Sequence, residues 1–372
     1  MRVPLLDVHR QNAPLEAELR AAFARVLASG AYILGPEVER FEEAAAAVAG
    51  ARFAVGVSSG TDAILVALMA LEIGPGDEVI CPAFTFFATA GCVARLGARP
   101  VFADSQPDSF NIDPDRIEPL ITPRTKAIIP VHLFGQPADM DPILEIARRH
   151  DLRVIEDAAQ AFGAEYRGRP VGALGDCGTV SFYPSKNLGA FGDAGLLVTN
   201  DAAIAERVRL LRNHGARQQY FHAAVGGNFR LDAVQAALLD VKLPLLPEYT
   251  HRRQQHASQY QRLLSDLEDE LILPLTRPGR THIFNQYTIR VKNGRDALRA
   301  FLAGRGIGSA IYYPVPLHRQ ECFRGLGHCQ PLPVVEELAD EVLSLPVFPE
   351  LTPEEQATVL EAIVGFLTPL RR

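Results

Sequence analysis

Tryptophan is absent from this sequence of 372 residues, and several patterns that mark common functions are missing with it. There is no long run of lysine and arginine, and the formal net charge is -7. Binding to a nucleic-acid backbone needs clustered cations, so nucleic acid is not an expected partner. An anionic small substrate needs only a local basic pocket and stays open. No apolar run is long enough to span a bilayer, so no membrane partner is expected. The chain reaches Asp7, His9 and Arg10 before any apolar segment of signal-peptide length, and a soluble, cytoplasmic protein is expected. Five cysteines (Cys81, Cys92, Cys177, Cys322, Cys329) are scattered and odd in number. They read as reduced thiols rather than a disulfide framework. Cys322, His328 and Cys329 lie close together, but no second pair completes a zinc site, and no metal is expected.

What is present is an alternation of strand-like and helix-like segments, which implies an α/β fold with a mostly parallel sheet covered on both faces. The strand candidates are Phe53–Val57, Glu78–Cys81, Pro100–Ala103, Ala127–His132, Arg153–Ile155, Gly178–Phe182 and Leu196–Thr199. Helical runs at Thr61–Leu71, Phe87–Leu96, Pro142–Arg149 and Ala202–Arg212 separate most of them. Before them an amphipathic helix is expected, with Leu15, Leu19, Phe23 and Leu27 on one face. No Gly-x-Gly-x-x-Gly follows a strand, which argues against the dinucleotide-binding version of this pattern. Pro244 and Pro247, with the charged run after them, suggest a hinge. The expected domains are 1–247 and a smaller α/β domain at 248–372, with strands at Gln286–Val291 and Ile307–Tyr313.

The chemistry gathers around Thr179–Gly189, where a β-branched and aromatic strand breaks at Pro184 and leaves Lys186 in a glycine-bounded loop. Upstream, the apolar run Leu152–Ile155 ends in Glu156-Asp157-Ala158-Ala159-Gln160. A lysine at one strand end and an aspartate at another are the parts needed to hold pyridoxal phosphate. The lysine forms a Schiff base, and the carboxylate keeps the pyridine nitrogen protonated. A phosphate needs backbone donors at a helix N-terminus, and Ser58-Ser59-Gly60-Thr61-Asp62 opens an apolar helix after a strand. The same residues suit a plain helix cap. One phenylalanine of Phe84, Phe86 and Phe87 can stack on a ring. Ser181 is placed to give the phosphate a hydroxyl.

With these residues in this order, the chain resembles the sugar aminotransferases of the DegT/DnrJ/EryC1/StrS family, a branch of the fold-type I pyridoxal-phosphate enzymes. The likeness spans nearly the whole chain. It rests on Gly35-Pro36-Glu37-Val38, Ser59-Gly60-Thr61-Asp62-Ala63, Gly74-Pro75-Gly76-Asp77-Glu78-Val79, the Glu156–Gln160 segment and Ser181–Gly189. Farther on, Gly227-Asn228-Phe229-Arg230-Leu231-Asp232 and Tyr313-Pro314-Val315-Pro316-Leu317-His318 also match. The resemblance implies a three-layer α/β/α large domain with a seven-stranded sheet. It implies that Lys186 carries the cofactor and moves the proton, Asp157 pairs with the pyridine nitrogen and Gln160 meets the phenolic oxygen. Phe86 would stack, and Gly60, Thr61 and Ser181 would hold the phosphate. Asn228 would reach the phosphate of a partner subunit in a homodimer with shared sites. Tyr32, Tyr220, Tyr313 and His318 would face a nucleotide-sugar. Gly192-Asp193-Ala194-Gly195 departs from the family's usual Gly-Asp-Gly-Gly, which is tolerable if Ala194 has a negative φ.

The implied reaction is a two-stage transamination between L-glutamate and a nucleotide-linked keto-deoxysugar, releasing 2-oxoglutarate and cycling the cofactor through pyridoxamine phosphate. Asn285-Gln286-Tyr287 and Tyr312–His318 resemble members that act at carbon 3 of a thymidine diphosphate sugar. Carbon 4 and a uridine diphosphate carrier remain alternatives. Two rivals share the fold: a pyridoxamine-dependent sugar dehydratase, in which histidine replaces the lysine, and a non-enzymatic regulator, which has no use for Lys186, Asp157 and Ser181 together.

Overall fold

The computed structural model describes residues 2–326, 328–329 and 331–367. Seven strands form the central sheet: β1 (Phe53–Val57), β2 (Glu78–Pro82), β3 (Arg99–Ala103), β4 (Thr125–Ile128), β5 (Arg153–Asp157), β6 (Cys177–Ser181) and β7 (Gly195–Thr199). Their order is β1-β7-β6-β5-β4-β2-β3, and the two residues His328–Cys329 add a short parallel edge beside β3. Only β7 runs antiparallel to its neighbours. The C-terminal ends of the other six therefore open on one edge of the sheet. The expected seven-stranded, mostly parallel sheet is present.

The strands are short and apolar because both faces are covered. Side chains alternate between two cores: Val154 and Val180 join one, while Ile155 and Cys177 join the other. Helices α1 (Glu16–Ser29) and α2 (Pro36–Val48) contribute Val26 and Phe41 to the first core. Helices α3 (Gly60–Ala70) and α4 (Ala88–Arg95) contribute Ile64 and Val93 to the second. α5 (Met140–Arg149) lies on the first side and α6 (Ala202–Leu211) on the second. α7 (Ala233–Lys242) returns to the first side, and a short turn at Leu243–Leu245 leads into α8 (Leu246–Leu264).

A third core gathers Tyr260, Tyr287, Ile289, Leu298, Leu343 and Ile363, and takes in Val3 from the chain's start. Its sheet has three antiparallel strands: Leu271–Ile272, Tyr287–Val291 and Val342–Leu345. The strand expected at Ile307–Tyr313 does not form. Ile307 makes one bridge to Val3 and Ala310 one to Ser344. Gly308 lies so close to Leu5 that a Cβ there would come 2.5 Å from the Leu5 nitrogen, so the segment packs against the N-terminal lead and makes only these single bridges.

The face expected for α1 also differs. Leu19, Ala22 and Val26 are buried, while Phe23 and Leu27 are exposed. Residues repeating every four positions drift around a helix of 3.6 residues per turn, and the smaller Ala22 lets α1 sit close to the body. No helix among the described residues is long and apolar enough to cross a membrane.

Candidate active site

The site is built where β1, β2, β5 and β6 end. Two of its residues share a face because strand side chains alternate with a period of two. Ile155 of β5 belongs to the core on the α3 side, so Asp157 points to that side and Glu156 to the other. Val180 of β6 belongs to the opposite core, so Ser181 also points toward α3. Gly195 pairs with both Ser181 and Val57. A Cβ on Gly195 would lie 2.3 Å from the Ser59 carbonyl, and a Cβ on Gly60 would lie 2.6 Å from the Ser181 Cβ. Both positions bring backbone to backbone with no room for a side chain. Ala194 beside them has no positive φ, so its methyl is accommodated.

The start of α3 sits directly on this floor. Ser59 caps the helix by accepting the Asp62 N–H at 3.0 Å. Ser58 donates to the Asp62 carboxylate at 2.6 Å. The Gly60 and Thr61 end of the helix thus faces the Ser181 hydroxyl, with the partial positive charge of a helix N-terminus.

Asp157 is buried and accepts from the Thr89 hydroxyl at 2.8 Å and from the Ala159 N–H at 3.2 Å. Burial holds its carboxyl above the usual range, against those two donors and the charge of Lys186. Lys186 keeps part of its surface open to the cleft, yet burial lowers its amine to about 8 against the attraction of Asp157. A single cavity is lined by Gln160, Ser181, Lys186, Asn187 and Asn285. The Gln160 oxygen accepts the Phe134 N–H at 2.6 Å, and its amide donates to the Tyr313 hydroxyl at 3.3 Å. Tyr313 packs between Phe84 and Phe86, with ring centroids 6.1 and 6.3 Å away. Phe86 is itself 56% exposed, so much of its ring is free of packing.

A phosphorylated pyridine aldehyde fits these residues. The Cβ-free floor of Gly60 and Gly195 with the Ser181 hydroxyl suits a phosphate. The under-donated carboxyl of Asp157 suits a protonated ring nitrogen, the Lys186 amine suits the aldehyde, and the Phe86 ring suits the aromatic plane.

Not every expected residue joins this cluster within the chain. Asn228 is exposed, but the next residue's carbonyl accepts the Ser58 N–H at 3.0 Å, so it borders the helix start. Tyr32 and Tyr220 are exposed on surface loops, the latter 84%. His318 follows Leu317, whose N–H donates to the Ala83 carbonyl at 2.9 Å, and its ring Nε2 lies 3.4 Å from Glu336. Burial lowers the His318 imidazole against Glu336.

Several supporting residues carried no sequence signal. Thr89 and Asn187 sit inside the Pro82–Thr89 and Ser181–Gly189 motifs, where nothing local marks the partners they meet. The buried pair His132 and Glu156 lies on the far face of β5, 3.0 Å apart. His132 accepts the Ala138 N–H on Nδ1, so its proton sits on Nε2 and is donated to Glu156. Only the position of Glu156 beside Asp157 hinted at that role.

A model of the DegT/DnrJ/EryC1/StrS aminotransferase family matches residues 14–364. Among relatives, a pleiotropic regulatory protein of Geobacillus stearothermophilus is 50% identical over 98% of this chain and 99% of its own. A UDP-N-acetyl-3-dehydro-alpha-D-glucosamine 3-aminotransferase of Acidithiobacillus ferrooxidans is 48% identical over 97% of each chain. A dTDP-3-amino-3,4,6-trideoxy-alpha-D-glucose transaminase of Streptomyces venezuelae is 47% identical over 97% of this chain and 95% of its own. Among solved structures, S. venezuelae DesV in complex with a ketimine intermediate superimposes with a TM-score of 0.95 at 46% identity, over 98% of each chain. NtdA from Bacillus subtilis with bound cofactor PMP gives 0.92 at 34% identity, over 99% of this chain and 85% of its own.

Two outcomes are expected of this geometry. Gly60→Ala places a methyl against Ser181 and should weaken binding of pyridoxal phosphate at least about tenfold, read by equilibrium dialysis. Lys186→Met should raise the melting temperature of the cofactor-free protein at pH 7, by about 2–4 °C in calorimetry. The unfolded lysine keeps its proton up to its ordinary 10.5 while the folded one loses it near 8. Stability of the parent therefore rises with pH between those values, and the advantage of the variant should shrink over that window.

Proposed function

The chain belongs to the DegT/DnrJ/EryC1/StrS aminotransferase family, and from that premise we propose that it is a pyridoxal-phosphate-dependent nucleotide-sugar aminotransferase. The observation that carries this reading is an amine lowered to about 8 beside a buried carboxyl held above its usual range, next to a helix start with a Cβ-free floor. Lys186 is the catalytic residue: its Nζ binds the cofactor covalently and moves a proton at the reacting carbon of donor and sugar. An amine near neutrality serves both directions of that transfer. When bound, the cofactor supplies the electron sink for the carbanion. Asp157 holds the ring nitrogen protonated, and the resulting cation reverses the burial penalty on the carboxyl. Gln160, held by Phe134 and Tyr313, is oriented toward the phenolic oxygen, while Phe86 stacks on the ring. Gly60, Thr61 and Ser181 hold the phosphate.

The amino donor in this reading is L-glutamate, released as 2-oxoglutarate. The acceptor is a nucleotide-linked 3-keto sugar, with a thymidine diphosphate deoxysugar as the first choice, in line with the S. venezuelae relative. The UDP sugar named for the A. ferrooxidans relative makes a uridine carrier the second, and amination at carbon 4 is the further alternative. Tyr32, Tyr220, Tyr313 and His318 are the proposed sugar-nucleotide contacts. The name of the Geobacillus relative points to regulation, but a regulator has no use for Lys186 and Asp157 set together in one cleft.

Residues 1–247 are proposed as the cofactor-binding domain and 248–372 as the small domain, with support from the third core, which apart from Val3 is drawn from residues 257–367. We further propose a cytoplasmic homodimer in which Asn228 reaches the partner's phosphate. Exposed Tyr183, Phe191, Tyr220, Phe221 and Val225 supply an apolar surface for it. Sedimentation should give twice the chain mass, and a monomer with full cofactor affinity would count against the shared site.

The central test is the absorbance spectrum of the purified protein with pyridoxal phosphate, before and after L-glutamate, beside Lys186→Ala. A band near the visible edge is expected, lost on adding glutamate and not formed normally in the variant. No band in the parent protein would sink the transamination reading.

A further inference from the structure

Helix α7 carries a second buried lysine that the chemistry above leaves unused. Lys242 is 1% exposed. Its Nζ donates to the Gly189 carbonyl at 2.6 Å and lies 5.6 Å from the centre of the Phe191 ring. Burial lowers its amine to about 8, against the attraction of Glu350. An ammonium in this position carries a desolvation cost that leucine or methionine would not. A cation at a helix C-terminus gains from the helix dipole, but an exposed lysine gains the same without desolvation. What burial adds here is the hold on the Gly189 carbonyl.

That carbonyl closes the loop that bears Lys186. The Lys186 N–H donates to the Tyr183 carbonyl at 2.8 Å, and the Ala190 N–H donates to Phe182 at 2.7 Å. A Cβ on Gly189 would lie 2.4 Å from the Pro184 carbonyl oxygen. The loop is thus a tight ring that leaves and rejoins the body at Phe182, and Gly189 is where it folds back. Two turns before Lys242, on the same helix face, Gln235 accepts the Phe191 N–H at 2.9 Å. One helix therefore grips the returning limb at both Gly189 and Phe191.

We propose that Lys242 is a positioning residue for Lys186: by holding the Gly189 carbonyl it fixes the loop, and with it the direction in which the Lys186 amine meets cofactor and substrate. This rests on the reading of Lys186 as the cofactor-bearing lysine. Proton transfer needs donor and acceptor within hydrogen-bond reach, so a small shift of the loop is felt in the rate. Binding of donor and sugar depends on other residues and should change little.

The test compares the parent protein, Lys242→Met and Lys242→Arg, all loaded with cofactor. Methionine keeps the apolar stem and loses the donor, whereas arginine restores a cationic donor. The pH midpoint of the visible cofactor band, kcat and KM with L-glutamate, and the melting temperature are measured. Lys242→Met should move the midpoint by about half a unit or more. It should lower kcat about tenfold with KM within about twofold, and Lys242→Arg should recover part of both. An unchanged midpoint and kcat in Lys242→Met overturns the proposal, as does a change confined to the melting temperature. Should Lys242→Met fail to fold, Gln235→Leu is read in the same way: a midpoint shift and lower kcat support it, and neither changing overturns it. A parent protein with no visible band would overturn the reading of Lys186 instead, so the two failures are distinct.

Discussion

The buried carboxylate of Glu156 is the constraint on which the site depends. It lies at the end of β5 with no exposure and accepts from His132 at 3.0 Å and from the backbone of Gly172, Leu174 and Gly175 at 2.9, 2.7 and 2.8 Å. Burial alone would raise its carboxyl, but the His132 bond and the backbone donors hold it below the usual range. A carboxylate with four donors in the interior is fixed in place, since losing any of them strands a buried charge. Because adjacent strand residues face opposite ways, fixing Glu156 on one side of the sheet aims Asp157 to the other.

The two neighbouring acids then behave in opposite ways for a physical reason. Glu156 has its partners within the protein. Asp157 has one hydroxyl and one amide, and burial leaves its carboxyl above the usual range. It is the group in this cleft with capacity for a cation. Lys186 mirrors it: burial lowers the amine to about 8, against the pull of Asp157. An acid and a base moved toward each other in this way are suited to a cofactor that brings a ring cation to one and an aldehyde to the other. The close packing at Gly60 and Gly195 draws the α3 start over the same spot, so charge, helix dipole and backbone donors converge without a loop crossing between them.

Much of this was legible from local pattern. The strand at Phe53–Val57 and most of the one read at Arg153–Ile155, the glycines flanking Lys186 and the cap at Ser59 follow from spacing, propensity and turn chemistry acting over a few residues. The errors came where local pattern meets a neighbour. Leu15, Leu19, Phe23 and Leu27 looked like one face, yet the smaller Ala22 and Val26 are buried with Leu19 instead. Ile307–Tyr313 has the residues of a strand, but Gly308 abuts Leu5 and the segment divides its pairing between Val3 and Ser344, one bridge to each.

By itself the sequence determined the α/β alternation, the places of the strands to within a few residues, and the identity of Lys186, Asp157 and Ser181 as the candidate chemical groups. These are encoded by contiguous residues, and a strand or a cap needs no distant partner to be read. Tertiary structure alone decided which polar groups lose water and what they meet. Lys242 lies 53 positions from the Gly189 carbonyl that it holds, and Thr89 lies 68 from Asp157. Nothing within a helix turn of either distinguishes it from an ordinary surface residue. Desolvation and long-range pairing appear only once the chain has closed on itself, and they set the charge on the residues the sequence had named.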